Sequence, residues 1–100
     1  MKELFINGAD LRGPDDLYDA FFRVVGAPVW HGRNFNALND SIGTGQINAV
    51  EVPYRIVIRN FDRIHKDAAR TASDFISLIQ ELASRGCPVE VRTENSNLTL

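Results

Sequence analysis

Asp40 is the residue whose position asks most of its surroundings. It lies in "VWHGRNFNALNDSIGTG", residues 29–45, with a tryptophan and a histidine before it and a glycine loop after it. Residues 34–43 read as a short helix, capped by Asn34 and ended by Gly43. Phe35, Leu38 and Ile42 then share one face at three- and four-residue spacing, and are expected to be buried. Asn36, Asn39, Asp40 and Gly43 share another face, which is wholly polar. Asp40 falls in the last turn, where unpaired carbonyls make the helix end partly negative. A carboxylate there is disfavoured by roughly 0.3–1 kcal/mol. A side chain that its own helix disfavours is a candidate to receive a cation from outside. A solvated surface aspartate that tolerates a small penalty is the plainer alternative.

Other chemistries find less support. His31 and His65 have only scattered partners, none at a ligand spacing such as i, i+4, so neither a metal nor a cofactor is expected. His31 near Asp40 could mimic an acid–base pair in a small hydrolase. No Ser or Cys occupies a nucleophile motif, however, and Cys87 sits between a helix stop and a strand, where a buried, inert thiol is expected. "GTGQ" is too short and isolated for a phosphate loop. Trp30 suits either a core or an interface. Glu81 and Arg85 have the spacing of an ordinary surface ion pair on a helix.

The totals narrow the class further. One hundred residues, 44% of them apolar, make one domain with one core. The formal charge is −2, which is not the basic footprint of a nucleic-acid binder. The charge is uneven: residues 1–52 hold seven acids and four bases, and residues 53–100 hold six acids and seven bases. The first half can therefore offer an acidic surface to a basic partner. With a single cysteine, no intramolecular disulfide is possible. The start has only Leu4–Ile6 as a consecutive apolar run, so neither a signal peptide nor a membrane span is expected. These features favour the cytoplasm.

Several elements must position residues 29–45. "ELFING" reads as a buried strand closed by a turn at Asn7-Gly8. "GPDDLYDAFFRVVGAP" reads as a helix with Asp15 as its N-cap, Leu17, Phe21 and Val24 inward, and a stop at Gly26 and Pro28. The run Ile56-Val57-Ile58 marks a central strand. "NFDRIHKDA" suggests a further one- or two-turn helix with Phe61 and Ile64 inward. "TASDFISLIQELASRG" is the strongest helix, with Phe75, Ile79 and Leu82 as its buried stripe and Gly86 after its end. "CPVEVRT" alternates as a half-exposed strand. The order β-α-α-β-α-α-β predicts an α/β fold: a small three-stranded parallel sheet with about four helices. The domain is expected over residues 1–93, with 94–100 as a loose tail.

"FING", a helix, "WHGRNFNALNDSIG", a strand and "FISLIQELASRGCPVEV" together resemble the barstar family, intracellular protein inhibitors of a secreted bacterial ribonuclease. The pattern is carried by Trp30, Gly32, Asn34, Phe35, Ala37, Leu38 and Asp40, and by Gly86-Cys87 before the last strand. The resemblance implies that Asp40 enters the ribonuclease active site in place of a substrate phosphate, among arginines and a histidine. It implies no catalysis, no cofactor and no metal. Trp30 and His31 match a pair of interface tyrosines, and Gly32 and Asn34 match outright. Leu78 and Glu81 match a contact valine and a contact glutamate on the last helix. Asn36 stands where the family has a second acid, and Asn39 where it has a tryptophan. Arg33 and Arg85 each replace an acid, and the segment between Gly43 and Pro53 is longer.

The expected function is therefore inhibition of a ribonuclease, or a related toxin with a cationic active site, with no direct binding of nucleic acid or membrane. The partner-binding residues would be Trp30, His31, Gly32, Asn34, Asn36, Asn39, Asp40, Gly43, Leu78 and Glu81. The alternatives are an immunity protein against a toxin that is not a ribonuclease, and the small hydrolase.

Overall fold

A computed structural model describes residues 1–26, Ile42 and residues 51–96. Strand β1 (Lys2–Asn7) leads through a 3-10 turn (Gly8–Asp10) into helix α1 (Asp16–Val25). Strand β2 (Tyr54–Arg59) is followed by a second 3-10 turn (Phe61–Arg63), helix α2 (Lys66–Ser84) and strand β3 (Val89–Thr93). The three strands form one parallel sheet with β2 in the middle; Leu4 pairs with Ile56, and Ile56 with Val91.

The apolar run in β2 is explained by that central place. Ile56, Val57 and Ile58 are all fully buried. Tyr54, Ile56 and Ile58 join Leu4, Ile6 and Val89 in the core with the helices. Helix α1 contributes Leu17, Tyr18, Phe21 and Val25, and α2 contributes Ala68, Phe75, Ile79 and Leu82. Phe21 is the hub: its ring meets Phe75 at 5.4 Å and Tyr54 at 6.5 Å between centroids, both tilted. Such aromatic pairs add about 0.5–1.5 kcal/mol each beyond the area they bury.

By the two-residue period of a strand, the other sheet face carries Glu3, Phe5, Arg55, Val57, Arg59, Glu90 and Arg92. Arg55 lies between two acids in one register row, donating to Glu3 at 2.8 Å and to Glu90 at 2.9 Å. The Arg59 guanidinium lies 4.1 Å from the centre of the Phe5 ring. Long charged side chains thus lie along this face, over apolar atoms.

The helices depart from expectation in informative ways. The described residues hold two α-helices and two 3-10 turns, where about four helices were expected. The expected helix over residues 34–43 lies outside the described residues, except Ile42, which is buried as its spacing predicted. The expected helix in "NFDRIHKDA" is divided. Asn60 takes a left-handed conformation, φ 52°, and Ile64 is extended, so only a 3-10 turn fits between them. Then His65 caps α2, its Nδ1 accepting the Asp67 N–H at 3.1 Å, and "KDAARTA" joins the long helix.

In α1 the buried residue is Val25, and Val24 is only partly covered, because Leu17, Phe21 and Val25 repeat at four-residue intervals. Asp15 occupies the N-cap position but makes no capping bond through its side chain. Asp16 closes the preceding loop instead, with Oδ2 accepting the N–H groups of Arg12 and Gly13, each at 2.8 Å.

Helix α2 ends as its glycine predicted. Gly86 has φ 95°, the Gly86 N–H reaches Ala83 O, and the Cys87 N–H reaches Leu82 O, both at 3.1 Å. This pair of bonds is the Schellman arrangement, which satisfies two otherwise open carbonyls and turns the chain toward β3. Past β3 the chain stays tied to the domain. The Glu94 N–H reaches Ile58 O, and Glu94 O accepts the Phe61 N–H, both at 2.9 Å.

Candidate partner-binding site

Helix α2 supplies the part of the site that the structure describes. Its buried stripe of Phe75, Ile79 and Leu82 fixes the rotation of the helix on the sheet. That rotation leaves Leu78 half-buried at the edge of the core and Glu81 exposed. The two residues are three apart and so adjoin on one flank. They line a shallow groove of about 280 Å³, which also has Asp74 and Ser77 among its described walls. The groove sets one apolar side chain between two carboxylates.

Asp74 and Ser77 were missed by sequence reasoning. The available signal was the spacing of Asp74, Leu78 and Glu81, which steps four and then three residues along one line of the helix. Neither acid stands entirely alone. Asp74 Oδ2 lies 3.5 Å from Arg70 Nε, and Glu81 Oε1 accepts a hydrogen bond of 2.7 Å from Arg85 Nη2. The second pair has the spacing read from the sequence. Asp74 also acts across to α1. The Tyr18 hydroxyl titrates above its ordinary value, chiefly through burial and then through the charges of Asp15 and Asp74.

Trp30, His31, Gly32, Asn34, Asn36, Asn39, Asp40 and Gly43 lie outside the described residues. Ile42, two positions after Asp40 in the sequence, is fully buried in the common core. Its carbonyl oxygen lies 3.9 Å from Cys87 Sγ, at the turn between α2 and β3. The core thus holds one point of the 29–45 stretch against the end of the helix that carries Leu78 and Glu81.

The titratable groups nearby are quiet. Burial pushes the Cys87 thiol above its usual range, so it stays protonated and a poor nucleophile. Burial, then the charges of Glu51 and Cys87, raise the Tyr54 hydroxyl, which remains neutral. His65 spends Nδ1 on capping α2. Among the described residues, no three His, Cys, Asp or Glu side chains are grouped to hold a metal. No helix among them is long and apolar enough to cross a membrane.

Fold and groove together define a small α/β domain with a partly apolar, acid-flanked helix surface. The family profile described as "Barstar (barnase inhibitor)" matches residues 1–96, and the chain belongs to the barstar family. A Bacillus subtilis protein titled "Putative ribonuclease inhibitor YrdF" is 31% identical over 81 residues, covering 81% of this chain and 85% of that protein.

Proposed function

We propose that this chain is a protein inhibitor of a ribonuclease, and that it works by occupying the enzyme's active site. The observation that carries this reading is the family match, which runs through residues 1–96 without leaving out either the 29–45 stretch or α2. The groove at Asp74, Leu78 and Glu81 supports it, because an apolar contact flanked by carboxylates suits the rim of a site built to bind phosphate.

Asp40 supplies the central contact. Its carboxylate takes the place of a substrate phosphate, and arginine forks in the enzyme match a carboxylate through paired charge-assisted hydrogen bonds. Trp30 and His31 give rigid ring contacts beside it, and Gly32, Asn34 and Gly43 belong to the same contact. Asn36 and Asn39 accept hydrogen bonds without adding charge, so the cognate enzyme has a less cationic rim than one met by two acids. Inhibition is by occupancy, with no bond made or broken. It protects the cytoplasm of the cell that makes the chain.

The test is titration of a panel of secreted bacterial ribonucleases, barnase included, with the wild-type chain and with Asp40→Ala. Wild-type inhibition at one-to-one stoichiometry is expected, with a loss of about 2 kcal/mol or more for Asp40→Ala. The variant should fold as well as the wild type, because a carboxylate in the last turn of the helix expected from the sequence would be unfavourable there. No inhibition of any ribonuclease, with Asp40 still needed to capture another protein, would assign the chain to a toxin of different activity.

A further inference from the structure

Arg85 sits on the carboxylate that α2 offers to a partner. Its Nη2 lies 2.7 Å from Glu81 Oε1, and both side chains are more than half exposed, at 71% and 57%. Positions 74, 78, 81 and 85 step by four, three and four, so they form one line along the helix. Along that line the surface runs from Asp74, past apolar Leu78, to Glu81 and the cation that offsets it. The two ends are therefore unlike. Among the described residues the ion pair of Asp74 is with Arg70, at 3.5 Å from a side chain that is 91% exposed, whereas Glu81 is held at close hydrogen-bond distance.

A guanidinium has five N–H donors, and one hydrogen bond to Glu81 leaves others unused. The same chain shows what an arginine does when two carboxylates are within reach: Arg55 bonds Glu3 and Glu90 together, at 2.8 and 2.9 Å. Among the described residues, Glu81 is the only carboxylate paired with Arg85. The end of α2 is thus half of an acid–base–acid triplet.

We propose that Arg85 is a specificity-determining residue, selecting a ribonuclease whose rim places a carboxylate against Arg85 and a cation against Asp74. This rests on the inhibitor reading, since it takes a ribonuclease as the partner. A partner carboxylate completes the triplet on Arg85. A partner cation brought to Glu81 meets the Arg85 guanidinium already bonded there at 2.7 Å, well inside the ~10 Å screening length at 0.1 M salt, and must take Glu81 from it. The charge order along the helix therefore fixes which way round a partner's rim can lie.

The experiment uses the ribonuclease that the wild-type chain inhibits most strongly in the panel. Association rates are measured for wild type, Arg85→Gln, Arg85→Glu and Glu81→Gln, at ~0.01 M and ~1 M salt. At low salt, Arg85→Gln should slow association about threefold and Arg85→Glu about tenfold, with both effects lost at high salt. Glu81→Gln should also slow association at low salt, because it removes a carboxylate of the contact surface and the partner that holds Arg85 in place. Equal or faster association of the Arg85 variants, with wild-type inhibition intact, would overturn the proposal and leave the inhibitor reading standing. Inhibition of no ribonuclease by the wild type would overturn both.

Discussion

Both carboxylate oxygens of Asp62 are taken by Ser96: Oδ1 accepts the backbone N–H and Oδ2 the hydroxyl, each at 2.6 Å. The chain leaving β3 is thereby fastened to the turn that leaves β2.

This fastening should depend on pH. The Ser96 hydroxyl, then the Ser96 N–H, hold the Asp62 carboxyl below the usual aspartate range. A lowered folded value means that the stabilisation is present above the ordinary aspartate pKa of ~3.9, and is lost as pH falls through the lower folded value. The protection of the Glu94 and Ser96 amides, relative to the intrinsic exchange rate at each pH, should therefore fall in acid. Asp62→Asn should already exchange fast near neutrality, with the core melting temperature little changed. Equal protection of Ser96 in the variant would mean that backbone pairing alone holds this segment.

Gly8→Ala should destabilise the fold by about 1–3 kcal/mol, the usual cost of forcing atoms into a packed place. A Cβ there would run into the carbonyl oxygens of Asn60 and Arg59, the latter at 2.8 Å, and backbone cannot swing aside as a side chain can. A lowered urea midpoint with an unchanged slope would show it. An unaltered midpoint would mean that the β1 and β2 exits separate freely.

Phe75→Ala should cost about 3–5 kcal/mol, because it removes a fully buried ring packed on Phe21 and leaves a cavity under α2. That is a large share of the stability of a domain this size, so the variant should be partly unfolded at growth temperature. Circular dichroism at increasing temperature reads the result. A loss below about 1 kcal/mol would show a core able to collapse around the gap.

Leu78 and its neighbour Ile79 should separate binding from folding. Ile79 is fully buried, and Ile79→Ala should cost about 2–5 kcal/mol of stability. Leu78 is only partly covered, and Leu78→Ala should cost about 1 kcal/mol of stability. It should also weaken ribonuclease inhibition by about 1–2 kcal/mol. Full inhibition by a folded Leu78→Ala protein would remove this flank from the contact.

The sheet was legible because its signals are redundant. Ile56-Val57-Ile58 carries the signature of a strand buried on both sides, and "GCPVEVRT" carries both a helix stop and an alternating strand. Where two neighbours are chemically alike, sequence could not choose between them. Val24 and Val25 differ only in which one completes the four-residue repeat, and Asp15 and Asp16 only in which one reaches a backbone N–H. The division at Asn60 and Ile64 depends on backbone angles that Asn and Ile permit but do not announce. Within the candidate site, the resemblance named Leu78 and Glu81, while spacing set them on one flank and gave the Glu81–Arg85 pair. Asp74 was passed over because its membership of the flank follows from the rotation of α2, which the core sets. Of the eight site residues from Trp30 to Gly43, spacing grouped Asn36, Asn39, Asp40 and Gly43 and the resemblance gave all eight their role; all lie outside the described residues.

The central position of β2 governs the birth of the molecule as well as its shape. β1 is synthesised first, yet its partner in the sheet begins only at Tyr54, and β3 waits for Val89. Parallel pairing across such separations repays its loop-closure entropy late. A nascent chain on the ribosome therefore carries β1 with its hydrogen-bonding edges open until more than half of the sequence has emerged. A ribosome stalled between α1 and β2 would hold β1 without the strand it pairs with, which is material for chaperones.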